Sequence, residues 1–263
     1  MNIPASKSGR DRPDIRSQIR GWNTLKSLHA KPLELSPIRM LRSAMITTLT
    51  DPIGLADLIT RLGLNGEARD EWPADVHGFL DTGLRIWQYP IQFAPFLLRL
   101  STLQVRSYLE LGVRHGGSFI LTTEYLDRFA PLDYSVGIDV LPCPGIADFV
   151  RINDRSRFVQ TNSLGSEFCK MVEEISPIDL VFIDSHHEER QCLEEFARLD
   201  PHANMIALHD ISNLRCPGIG RAWAQIKACD RRVCFEFTAQ YPGLGPFMGI
   251  GLAIKPDRLP DLR

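Results

Sequence analysis

Two short acid–histidine groups are the residues most able to do chemistry in this chain. Asp184 ends the apolar run Leu180-Val-Phe-Ile183 and is followed by Ser185-His186-His187, while His209-Asp210 ends the run Ile206-Ala-Leu208. Carboxylates are hard oxygen ligands for a divalent cation. A histidine titrates near neutrality and is suited to carrying a proton. His186 and His187 are adjacent in sequence, so one of them faces a shared site while the other meets solvent, and His187 is the candidate base. Upstream, Ser107-Tyr-Leu-Glu110-Leu leads into Gly112-Val-Arg-His-Gly116-Gly117-Ser118, and Val136-Gly-Ile138 ends in Asp139. Glycine adopts positive φ at no steric cost, so such a bend lets backbone approach a ligand closely. The N–H groups of a following helix's first turn point at the same spot. Together these residues describe a cradle for a small polar cofactor, faced by acids and imidazoles.

The elements that must hold them alternate. Strand candidates are Ser107–Leu111, Ser135–Val140, Arg157–Thr161, Ile178–Ile183, Met205–His209, Val233–Thr238 and Gly249–Ile254. Helical periodicity covers Ser118–Phe129, Ser166–Ile175, Glu188–Leu199 and Gly220–Cys229. Alternating strands and helices imply a parallel sheet covered on both faces, with ligands beyond the carboxyl ends of the strands. The segment from Ala239 to Pro246 is too short for a crossover helix, so the last two strands are expected to pair antiparallel. The fold class is therefore α/β: a Rossmann-like, doubly wound, seven-stranded sheet, mainly parallel, with a C-terminal antiparallel hairpin and an N-terminal helical extension.

Five successive strand ends carry polar groups. Besides Glu110, Asp139, Asp184 and His209-Asp210, the third strand ends in Thr161-Asn162-Ser163, suited to a hydroxyl or a base edge. An acid after the second strand can accept hydrogen bonds from a ribose, as in dinucleotide folds. Structural roles compete with these: Asp139 and Asp184 would serve equally as caps of the following helices, and His209 as a packed strand-end histidine. His115, inside the glycine-rich turn, either touches the cofactor or faces solvent.

The rest of the chain sets bounds. Its 263 residues are 44% hydrophobic and 24% charged, with a formal net charge of −2, so no global field draws it to nucleic acid or anionic lipid. No apolar run reaches the roughly 20 residues of a membrane span, and the N-terminus lacks the apolar core of a signal peptide. Six cysteines without a CxxC pair read as reduced thiols in a cytoplasmic protein. Residues 1–31 hold seven basic side chains against two acids, a composition read as a flexible tail rather than a nucleic-acid arm. The expected organisation is a tail over 1–35, a helical extension or substrate cap over 36–103, and a cofactor-binding domain over 104–263. The aromatic stretch 84–100 reads as a helical lead-in and is assigned to core, or to an interface in a homo-oligomer, with a substrate-pocket lid as the lesser reading.

The motifs YLELGVRHGGS (108–118), GID (137–139), TNS (161–163), FIDSHH (182–187) and ALHDI (207–211) together resemble the class I S-adenosylmethionine-dependent methyltransferases. The likeness covers roughly residues 85–255 and is greatest toward the cephalosporin-biosynthesis-type and macrolide-sugar O-methyltransferases. It implies that Glu110, Gly112, Gly116, Gly117 and Ser118 face the methionine part of S-adenosyl-L-methionine, that Asp139 binds the ribose and that Asn162 lies near the adenine. Asp184 is then shared between the cofactor and a divalent cation, Mg or Mn, held with Asp210 and His209, and His187 matches a general base. Two departures stand out: Pro201-His-Ala-Asn204 replaces a Pro-Gly-Gly turn, and His209 occupies a place where metal-binding relatives carry a carboxylate. The implied reaction is O-methylation of a small molecule, a sugar or secondary metabolite, with no membrane or nucleic-acid partner. The competing classes are a nicotinamide-dependent oxidoreductase and a non-catalytic relative. The turn here is G-x-x-x-G-G, not the compact G-x-G-x-x-G of dinucleotide binders.

Overall fold

A computed structural model describes residues 33–229 and 231–259; the basic tail read from the sequence lies almost wholly outside them. Seven strands form one sheet: β1 (Ser107–Leu111), β2 (Tyr134–Asp139), β3 (Ser156–Gln160), β4 (Ile178–Ile183), β5 (Ala203–Leu208), β6 (Val233–Phe237) and β7 (Ile250–Ile254). Their order is β3-β2-β1-β4-β5-β7-β6. β1 to β5 pair in parallel, and β7 inserts antiparallel between β5 and β6. The direction of winding reverses between β1 and β4, which opens a crevice at their carboxyl ends.

Side chains alternate across this sheet with period two. Leu180 and Phe182 of β4 join one apolar cluster with the 90–101 and 117–126 helices, while Val181 and Ile183 join another with the 166–175, 189–199 and 217–228 helices. Because both faces are covered, β1 is buried at every position, with Tyr108 in the first cluster and Leu109 and Leu111 in the second.

The first cluster also takes in the N-terminal segment. Helix 52–62 starts at Asp51, whose carboxylate accepts from the Gly54 N–H at 2.6 Å, with Pro52 in the first turn. Leu55, Leu58, Ile59 and Leu62 are its buried stripe. Residues 84–89 are not helical as the periodicity suggests. Ile86 bridges to Leu64, and the helix begins only at Pro90, because a residue before proline is driven out of the helical region. A further helix, Pro144–Val150, joins β2 to β3. Its seven residues are too few to leave a readable apolar period.

Candidate active site

The floor of the crevice is where β1 and β4 end side by side. Gly112 has φ +83°, and a Cβ there would lie 2.0 Å from the Asp184 carbonyl oxygen. Only glycine lets the two strand ends come this close. The next two glycines of the turn serve packing as well: a Cβ on Gly116 would meet Ile146 at 2.4 Å, and one on Gly117 would meet the Leu84 carbonyl at 2.2 Å. Gly117 opens the 117–126 helix, so its first-turn N–H groups face the crevice.

Above this floor is a cavity of about 640 Å³, within the range of small-molecule sites. Gly112, Gly117 and Ser118 line one wall, and Asp139 and Asn162 a second. Asp184, next to Gly112 at the floor, lines the cavity too, together with His187, His209 and Asp210. Glu110 and Gly116 are not on the lining. Glu110 is fully buried behind Ser118, whose hydroxyl donates to it at 2.6 Å, and the Tyr108 hydroxyl donates to it from the other side. Burial pushes its carboxyl up to about 8 against the pull of these two donors. It therefore supports Ser118 and does not face the cavity directly.

Asp139 accepts from the Arg114 N–H and the Leu141 N–H, both at 2.9 Å. These bonds fix its carboxylate at the cavity edge and leave each oxygen a further lone pair. Asn162 uses its side-chain carbonyl to accept from the Leu164 N–H at 2.9 Å, closing a local turn.

The acid–histidine groups converge. Asp184 Oδ1 lies 3.1 Å from His209 Nδ1 and 3.4 Å from His187 Nε2. His187 Nε2 in turn lies 3.2 Å from Asp210 Oδ2. Asp210 is itself held by the Asn213 amide, which donates to Oδ1 at 2.8 Å. Burial alone would lower the pKa of His209, but the charges of Asp184 and Asp210 raise it to about 9. Burial likewise opposes, and the same two acids outweigh, so that His187 is raised. Burial would raise Asp184, yet the two imidazoles hold it well below the usual carboxylate range. Two carboxylates and two imidazoles thus alternate around one point. His209 Nε2 is buried without a hydrogen-bond partner. One donor atom each from Asp184, His209 and Asp210 lies within 4.8 Å of the others. Such a mixed oxygen and nitrogen set fits a divalent ion, and fits Mn²⁺ better than Mg²⁺.

Several residues on the cavity lining or behind it escaped the sequence reading. Glu67, from the N-terminal segment, accepts from His115 Nε2 at 2.7 Å and from the Arg114 guanidinium. Burial pushes Glu67 up, but these two partners hold it down at about 2. The Arg114 guanidinium lies over the Trp87 ring at 4.5 Å. His115, open between cofactor and solvent in the sequence, is buried in this link. Arg215, Cys216 and Phe247 also line the cavity, as does Trp87 from the aromatic stretch 84–100. No local pattern joins Glu67 to a residue 47 positions away.

The family model for Rhamnosyl O-methyltransferase/CmcI matches residues 76–206, which span the glycine turn and Asp184. The chain is a class I S-adenosylmethionine-dependent methyltransferase. Among solved structures, this methyltransferase is similar to an O-methyltransferase from Bacillus cereus determined with SAH. The two share 16% identity over 81% of this chain and 93% of that one, with a TM-score of 0.50. It is also similar to the O-methyltransferase TomG from Streptomyces achromogenes, involved in tomaymycin synthesis and determined with SAM, at 16% identity over 65% and 81% of the two chains and a TM-score of 0.50. At such identity these likenesses speak for the fold. No curated protein matches the chain. Among the described residues no helix is long and apolar enough to cross a membrane.

Proposed function

We propose that this methyltransferase O-methylates a hydroxyl of a small molecule, a sugar or secondary metabolite, with help from a divalent cation. The observation that carries the reading is the cluster of Asp184, His187, His209 and Asp210 lining the same cavity as the glycine turn. Bound S-adenosylmethionine supplies an electrophilic methyl on a sulfonium. Ser118 and the first turn of the 117–126 helix would hold its amino-acid part, Asp139 its ribose hydroxyls, and Asn162 would lie beside its base. A cation held by Asp184, His209 and Asp210 supplies Lewis acidity toward an acceptor hydroxyl.

The proton of that hydroxyl is assigned to His187 Nε2. In the unliganded cluster two carboxylates raise the proton affinity of this imidazole, and compensating their charge would return it toward the range of a competent base. Residues 36–103 are assigned the role of substrate cap on the cofactor-binding part, 104–263. Trp87 and the Glu67–Arg114 link then border the acceptor side and exclude water, and fixed alignment of methyl and oxygen supplies much of the acceleration.

Calorimetry tests the reading: SAH is expected to bind in the micromolar range and NAD not at all, and the reverse would overturn it. With S-adenosylmethionine and hydroxylated acceptors, methyl transfer is expected to stop with a chelator and return with Mn²⁺ or Mg²⁺. Turnover indifferent to the chelator would remove the cation.

A further inference from the structure

The methyl-transfer reading makes no use of Cys216, which lines the cavity. Cys216 precedes the 217–228 helix, and the chain reaches it from β5 through a tight turn. Asn213 closes that turn: its amide donates to Asp210 Oδ1 at 2.8 Å, and its carbonyl accepts from the Cys216 N–H at 3.0 Å. The turn returns Cys216 to the acid it left six residues earlier. One donor atom each from His187, Asp210 and Cys216 lies within 4.8 Å of the others. All three line the cavity, so an ion has a path in.

The donor types decide which ion. Imidazole nitrogen, carboxylate oxygen and thiolate sulfur are the ligands of tetrahedral zinc, and three protein ligands leave a fourth position open. Mg²⁺ demands oxygen in near-octahedral geometry. Sulfur therefore selects against it, and soft ligands favour Zn²⁺ and its analogue Co²⁺. The other five cysteines belong to no such set among the described residues.

We propose that His187, Asp210 and Cys216 form a binding set for a thiophilic divalent ion of the Zn²⁺ or Co²⁺ type, sharing Asp210 with the harder Asp184–His209–Asp210 set. As the metal–sulfur bond forms, the Cys216 thiol loses its proton to solvent. His187 Nε2, once committed to the ion, no longer accepts a proton from an acceptor hydroxyl, so Zn²⁺ inhibits where a harder cation assists. That inhibition rests on the function proposed above, whereas the site itself does not.

Co²⁺ titration of the whole protein, followed by absorption, reads the site without turnover. An intense near-ultraviolet thiolate-to-cobalt charge-transfer band is expected, surviving a large excess of Mg²⁺. Cys216→Ser is expected to lose the band, and His187→Gln to weaken Co²⁺ binding about tenfold or more, since losing even a supporting partner costs that much. A second measurement needs no variant: Zn²⁺ is expected to protect Cys216 from alkylation in peptide mapping while exposed Cys229 keeps reacting. Saturating Co²⁺ without the band, a band that persists in Cys216→Ser, or Cys216 alkylated at the same rate with and without Zn²⁺ overturns the proposal. SAH calorimetry on the same protein reports separately on the methyltransferase function.

Discussion

Replacing Gly112 by alanine tests how the cavity floor is built. The residue has φ +83°, and a new Cβ would lie 2.0 Å from the Asp184 carbonyl oxygen and 2.7 Å from Ser185 Cα. The left-handed conformation costs a non-glycine residue about 1–2 kcal/mol. Forcing the two strand ends apart by about 1 Å adds the roughly 1–3 kcal/mol of an overpacked site. A total of about 2–5 kcal/mol is a large share of the roughly 5–15 kcal/mol that holds a domain folded. At about 2–4 °C per kcal/mol for a domain of this size, the melting temperature is expected to fall by roughly 4–20 °C. The displaced group is the backbone of Asp184, so SAH affinity is expected to fall too, in protein that remains folded at 20 °C. Gly245→Ala is the control, since a Cβ there meets nothing within 4 Å; its effect is expected to stay within about 0.5 kcal/mol. Thermal denaturation and SAH calorimetry on both variants decide it. A Gly112→Ala protein that melts with wild type and binds SAH as tightly would refute the account of the floor.

Asp139→Ala removes an acceptor already oriented by two backbone N–H groups. Loss of charged hydrogen bonds worth about 1.5–3 kcal/mol is expected to weaken SAH binding by roughly 10- to 150-fold, and unchanged calorimetry would remove the ribose role. Glu67, held down at about 2 by His115 and Arg114, contributes stability that is present above the ordinary carboxylate range and lost as pH falls toward 2. Glu67→Gln is expected to flatten that acid limb in denaturant titrations and to weaken SAH binding through the loosened Arg114–His115 turn; an acid limb identical to wild type would disprove the link. Glu110 has the opposite sign: with its carboxyl pushed up to about 8 by burial, its contribution is fully present at low pH and lost as pH rises through 8. Glu110→Gln is expected to remove this decline, as measured by urea unfolding between pH 5 and 9, and an equally steep decline in the variant would contradict it.

Strand ends were the legible part of this chain. β1 and β4 have the bounds expected of their apolar runs, and the acids and histidines that follow β2, β4 and β5 do meet at one cavity. Periodicity carries that information because burial on both faces demands it locally, and the topology of a doubly wound sheet brings successive carboxyl ends to one edge. Proline set one boundary that the apolar period misplaced, at Pro90, because its constraint on the preceding residue outweighs the spacing of Leu84, Trp87 and Phe93.

Which polar residues face the cavity and which stand behind it is a matter of tertiary packing. Glu110 alternates with its neighbours on β1 and points beneath Ser118, and Gly116 packs against Ile146 while Gly117 opens onto the ligand side. Glu67 and Trp87 reach the glycine turn only because the N-terminal segment folds over the sheet, and Cys216 reaches Asp210 only through the Asn213 turn. Residue type and strand position can be read along one chain. A pairing between groups far apart in sequence cannot, because it exists only once the faces that bear them have been buried against one another.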